Sequence, residues 1–177
     1  MRQPHPTLAH LPWSSFKDHF DNYGFPSVAK EGDVEKVAHN MRQADLQEIR
    51  ACGYGCPVEA LRISYEGSKP QAYSAIVNDE PVAMMGVVPF EDNPEVGSIW
   101  LLGTDDIARN IPVSFLKWSI EFLPTLMGPY KMVCNRVDKR NKVHIKWLKW
   151  LKFTAIQEAP YGPYGLPFIE FAKLNES

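Results

Sequence analysis

The amino-acid sequence predicts an α/β (α+β) fold: a mixed, twisted sheet flanked by helices, with an aromatic- and proline-rich arm ahead of it. Three observations point there. Apolar runs at residues 71–77 and 82–88 flank Asn78-Asp79-Glu80-Pro81, the composition of a hairpin turn. Farther on, apolar runs at residues 97–102 and 132–137 are each followed by a stretch of helical periodicity. The 177 residues are 45% hydrophobic and 23% charged, enough to bury roughly 70% of the unfolded surface in one core.

The elements follow in order. Residues 1–30 form the arm, where Ser14 or Ser15 caps a short helix with Phe16 and Phe20 on one side. With Trp13, Tyr23 and Phe25 the arm holds too much apolar surface to stay in water, so it is expected to fold back or to dock on another subunit. Residues 31–177 form a single domain. Asp33 caps a helix through Val34, Val37 and Ala38; a second runs from about 45 to 52 and stops at Gly53, whose lack of a side chain suits a helix end. A third opens on Pro57, where a missing amide hydrogen costs nothing, and uses Val58, Leu61 and Ile63.

After the hairpin and the 97–102 strand, a helix over 112–123 presents Val113, Phe115, Leu116, Ile120 and Leu123. The strand at 132–137 leads to a helix capped by Asn141, with Val143, Trp147, Leu148, Trp150 and Leu151 at helical spacing and Lys142, Lys146 and Lys149 on the neighbouring stripe. Two strands at 154–157 and 167–173 close the chain around a turn-rich loop.

Composition excludes several classes. A net charge of −2 gives no global pull toward nucleic acid or an anionic membrane, and the basic run from Lys131 to Lys152 reads as a solvated face. No stretch approaches a membrane span, and residues 1–12 lack the apolar run of a secretory signal. Three cysteines, Cys52, Cys56 and Cys134, suggest reduced thiols. Cys52-Gly-Tyr-Gly-Cys56 is a weak zinc signal and reads as a turn, so no metal is expected. His39 reads as a helix-end polar group.

The strand ending at Val137, the Asn-capped helix and the closing Phe153 resemble the second half of the acetyl-CoA-dependent N-acetyltransferase (GNAT) fold. The resemblance implies an acyl-donor pocket where the 97–102 and 132–137 strands splay apart. It implies backbone contacts at Leu101 and Leu102, phosphate contacts from Arg109, Asn110, Val113 and Ser114, further support from Arg140, Asn141 and Lys142, and Asp105 or Asp106 as base. The chain departs from the family pattern at chemically important places. Aligned on Arg109, the two small positions of the phosphate loop become Pro112 and Ser114. Pro112 removes an amide donor, while Asp105 and Asp106 add negative charge; these three also read as plain helix capping. In the motif running from Asn141 to Phe153, the usual Tyr acid is Leu148, which cannot protonate a thiolate; Tyr161 or Tyr164 are substitutes. The implied acetyl-CoA is therefore held weakly or not at all.

Over residues 35–155 the chain also resembles a narrower group, the acetyltransferase-like proteins of podoviruses related to the T7 internal virion protein A. That resemblance rests on Asn40-Met-Arg-Gln-Ala-Asp-Leu-Gln-Glu-Ile49, Ile99-Trp-Leu-Leu-Gly-Thr104 and Val137-Asp-Lys-Arg-Asn141 followed by His144-Ile-Lys-Trp-Leu148. It implies a bacteriophage protein made in the host cytoplasm, linked with virion assembly and partnered by other phage or host proteins. Two functions follow: a degenerate acetyltransferase scaffold with little catalysis, which is preferred, or an active N-acetyltransferase acting on a host or virion amine.

Overall fold

The computed structural model describes residues 26–110 and 112–175. The elements are β1 (Pro26–Val28), α1 (Glu31–His39), α2 (Gln43–Ala51), α3 (Pro57–Ser68), β2 (Ala72–Val77), β3 (Glu80–Phe90) and β4 (Asn93–Gly103). They continue with α4 (Asp106–Asn110), α5 (Pro112–Met127), β5 (Met132–Asp138), α6 (Lys142–Trp150), β6 (Thr154–Tyr161) and β7 (Leu166–Leu174). One seven-stranded sheet runs in the order β1-β2-β3-β4-β5-β7-β6, and β4–β5 is its parallel pair. Of the arm, residues 1–25 lie outside the described residues, and Pro26–Val28 joins the sheet as an edge strand on β2.

The β2–β3 hairpin is tighter than expected. Asn78 and Asp79 have φ of 50° and 64°, the left-handed pair that a two-residue hairpin loop demands and that Asn and Asp tolerate. Glu80 and Pro81 therefore belong to β3. Pro81 lies opposite Ile76 beside a register shift, where a missing N–H is tolerated.

Alternation along β4 divides the core. Trp100 and Leu102 turn to the face covered by α1, α2 and α3; Ile99 and Leu101 turn to the face covered by α5 and α6. Several expected core residues are corrected here. Helix α5 runs on to Met127, past Pro124, and buries Phe115, Trp118, Phe122, Leu123 and Leu126, leaving Ile120 exposed. The stripe begins at Phe115 and follows Trp118, so Ile120 falls on the opposite side. On α3, Ile63 faces solvent and Tyr65 is buried, its hydroxyl donating to the Ala29 carbonyl at 3.4 Å. Asp33 sits in the first turn of α1, accepting from the Lys30 amide at 3.0 Å, so Lys30 occupies the cap position.

Asn141 does cap α6, its side chain accepting from the His144 amide at 3.3 Å. That cap fixes the helix phase so that His144, Leu148 and Leu151 point inward, while Val143 and Trp150 are exposed.

At Gly97 on β4 a Cβ would stand 2.2 Å from Val87 Cγ1 and 3.1 Å from the Tyr130 ring. Replacing Gly97 by Ala is expected to cost about 1–3 kcal/mol through overpacking, read as a lowered urea midpoint. An unchanged midpoint contradicts this packing.

Candidate functional site

Strands β4 and β5 pair over three residues, Val96↔Met132, Gly97↔Val133 and Ser98↔Cys134, and then part. The odd-numbered residues of β4 turn their backbone groups toward that opening, and buried backbone groups need partners. Asn135 Nδ2 donates to the Ile99 carbonyl at 2.8 Å. Higher up, the Gly103 amide donates to Asp45 Oδ2 at 3.0 Å, and its carbonyl accepts from the Arg42 amide at 2.9 Å. Leu101 lies between these capped positions, so by alternation its N–H and C=O face the gap.

Helix α2 crosses the open end. Asp45 grips β4 through Gly103; Glu48, one turn later, grips β5 by accepting from the Asp138 amide at 3.1 Å. Asn141 at the start of α6 joins them, donating to Glu48 Oε2 at 3.2 Å and Asp45 Oδ1 at 3.5 Å. Arg42 forms a bidentate pair with Asp45, with Nη2–Oδ1 at 2.7 Å. Burial, then the neighbouring charge of Asp45, pushes the Glu48 carboxyl up to about 8. Burial likewise pushes the Asp138 carboxyl up, but hydrogen bonds and charge from Arg140 outweigh it and hold it below the usual range. His144 is driven down to about 4 by burial, so it is neutral near pH 7.

On the other face, Trp147 ties α6 to α5. Its ring lies 5.8 Å from that of Phe115, and its Nε1 donates to Ser119 Oγ at 3.1 Å. Between the helices and through the opening runs a cavity of about 280 Å³, lined by Glu48, Trp100, Trp118, Phe122, Trp147 and Phe153 among others.

The structure places the expected site residues as follows. Leu101 and Leu102 line the cavity. Arg109 is exposed and pairs with Asp105 at 3.3 Å, outside the cavity wall. The Asp106 amide is bonded to Thr104 Oγ1 at 3.3 Å, and this aspartate does not line the cavity. The side chains of Asn110, Val113 and Ser114 lie outside the described residues. Arg140 is bound to Asp138, Asn141 is buried as cap and carboxylate partner, and Lys142 is exposed. Tyr161 lines the cavity, whereas Tyr164 is exposed.

His39 ends α1 with its ring nitrogen 2.6 Å from the Glu35 carbonyl, and Cys56 is exposed. No group of three or more His, Cys, Asp or Glu suited to a metal occurs among the described residues. Nor, among them, is any helix long and apolar enough to cross a membrane. The residues that sequence reasoning missed are Asp45, Glu48 and Trp118.

No protein-family model matches the chain, and no curated protein matches it. Solved structures do. Ard1 from Thermoplasma volcanium superimposes with a TM-score of 0.67 at 17% identity, over 87% of this chain and 99% of that one. AAC(6')-Ib in complex with ribostamycin and coenzyme A gives 0.61 at 14%, over 86% and 94%. A GNAT-family acetyltransferase from Streptococcus pneumoniae gives 0.55 at 14%, over 86% and 99%. The chain has the GNAT fold.

The Glu48 carboxyl generates a pH prediction. Its ordinary value is 4.5 and its folded value about 8, so across that window the unfolded chain releases the proton first. The folded state then binds more protons, and stability falls as pH rises through the window. Glu48→Gln keeps an acceptor for both donors and removes the titration. Urea unfolding at pH 5 and pH 8 is expected to show the variant gaining about 1–3 kcal/mol on wild type over that rise. Parallel pH slopes contradict it.

Proposed function

We propose that this is a bacteriophage protein that uses the GNAT scaffold as an internal virion or assembly component, binding other phage or host proteins, with little acetyl transfer. The observation that carries this reading is that side chains bridge the parted strands on both faces, leaving a cavity of about 280 Å³ between them. Asp45 and Glu48 of α2 span the parted strands on one side, and Trp147 bridges α5 and α6 on the other. The start of α5 has one donor fewer for a diphosphate, since Pro112 has no amide hydrogen, and the exposed Arg109 beside it pairs with Asp105 at 3.3 Å. Leu148, at the family's acid position, is buried and inert.

The sequence patches at residues 40–49, 99–104 and 137–148 support a phage origin, hence synthesis in the host cytoplasm and a place in the virion. Titration calorimetry with acetyl-CoA is expected to show no binding tighter than roughly 100 µM. Low-micromolar affinity overturns the reading.

A second reading, an active N-acetyltransferase for a host or virion amine, is favoured by Glu48 and Leu101. Acetyl-CoA supplies a thioester carbonyl in such an enzyme. The Leu101 amide faces the gap where charge develops on that oxygen, and Glu48, poised near neutral pH, is placed to take the amine's proton. Tyr161, which with Tyr54 puts a phenol on the cavity wall, is available to the leaving thiolate. This reading expects CoA release with some member of an amine panel, reduced at least ~100-fold by Glu48→Gln. Absence of release with every amine removes it.

A further inference from the structure

We infer that this chain binds a second copy of itself, the β3–β4 hairpin tip of one molecule seating on the exposed face of α6 of another. Two surface patches carry the inference. The tip is narrow: Phe90 pairs with Asn93, leaving Glu91 and Asp92 as a two-residue loop. Phe90 is 44% exposed, and both acids stand in solvent. On α6, Val143 is 64% and Trp150 51% exposed. Seven residues apart, they share one side of the helix, about 10 Å from each other along its axis. Lys142 and Lys149 form a neighbouring stripe at the same spacing, and Lys146 falls between the two.

Charge decides the occupant. Nearby ions are paired within the molecule, Glu95 with Lys131 at 2.6 Å and Lys139 with Glu158 at 2.8 Å. Glu91, Asp92, Lys142, Lys146 and Lys149 form no ion pair among the described residues. One patch thus joins an aromatic ring to two unpaired carboxylates, and the other joins an indole and a valine to three unpaired ammonium groups. A projecting tip fits a helix face with ring against ring and acids against lysines. Aromatic anchors rimmed by charge are the composition of a protein contact that sheds water at its centre. Nucleic acid matches the lysines alone. The net charge of −2 gives it no long-range pull, and it leaves the acidic tip without a partner.

The patches are unlike surfaces, so the contact is head-to-tail, each molecule offering one tip and one face. None of these residues lines the cavity, and the inference does not rest on the proposed virion role.

Sedimentation velocity of the full chain over a concentration series tests it. At ~0.1 M salt, where charges act over about 10 Å, mass above the monomer is expected to grow with concentration. At ~1 M, with screening within about 3 Å, affinity is expected to fall at least ~5-fold. Two double variants test the pairing. Glu91→Lys with Asp92→Lys makes tip and helix both basic; Lys146→Glu with Lys149→Glu makes both acidic. Each alone is expected to self-associate at least ~10-fold more weakly than wild type. An equimolar mixture is expected to recover association, because every tip then meets a helix of opposite sign.

A wild-type chain that stays monomeric overturns the contact, as do variants that associate like wild type or a mixture no stronger than its components. So does a monomer that binds fluorescein-labelled duplex DNA and loses it with Lys146→Glu and Lys149→Glu, which gives the face to nucleic acid. The wild-type concentration and salt series decides the matter even where a variant fails to fold.

Discussion

Two carboxylates one turn apart on α2 hold two parted strands. Asp45 takes the Gly103 amide of β4, and Glu48 takes the Asp138 amide of β5. A parallel pair that separates after Ser98 strands polar backbone at the centre of the protein, and such groups are costly without partners. Most of them find partners: the Asn135 side chain on Ile99, the Asp45 side chain and the Arg42 backbone amide on Gly103, and the Glu48 side chain on Asp138, while Leu101 faces the gap. The position of α2, the phase of α6 set by Asn141, and the width of the gap all follow from these bonds.

The arrangement has a chemical consequence. Placing Glu48 beside Asp45 in a buried site raises it to about 8, so it keeps its proton where other carboxyls have lost theirs. The same group thus ties α2 to β5 and lines the cavity. On the far side Phe115, Trp118 and Trp147 pack between the helices beside the cavity of about 280 Å³.

Much of the architecture was legible in the sequence because local chemistry dictates it. Asn141 announced a helix start, Pro57 another, Gly53 a stop, and Asn78-Asp79 a hairpin; the structure has all four. Burial was harder to read. Ile63, Ile120 and Val143 are apolar and exposed, as single surface residues often are, and periodicity alone does not select between two adjoining stripes of a helix. On α6 the polar His144 occupies the inward stripe, which disguised the true face.

The site was legible in part. Leu101 and Leu102 follow from the parting of the strands, a tertiary feature that the fold resemblance supplied. Asp45 and Glu48 were hidden because acids at this spacing on a short helix look like a solvated surface. The available signal was Arg42 three residues before Asp45, the spacing at which opposite charges meet on one side of a helix.

The proposed assembly role requires that the gap between β4 and β5, bounded by α2 and Trp147, takes up no acyl donor. A crystal structure grown with saturating acetyl-CoA tests it most directly. Under the proposed role Asp45 and Glu48 stay bonded to Gly103 and Asp138, Trp147 stays bonded to Ser119, and no diphosphate is found at the start of α5. Ordered coenzyme A between β4 and β5, with its diphosphate on that helix start and Trp147 swung aside, would contradict it.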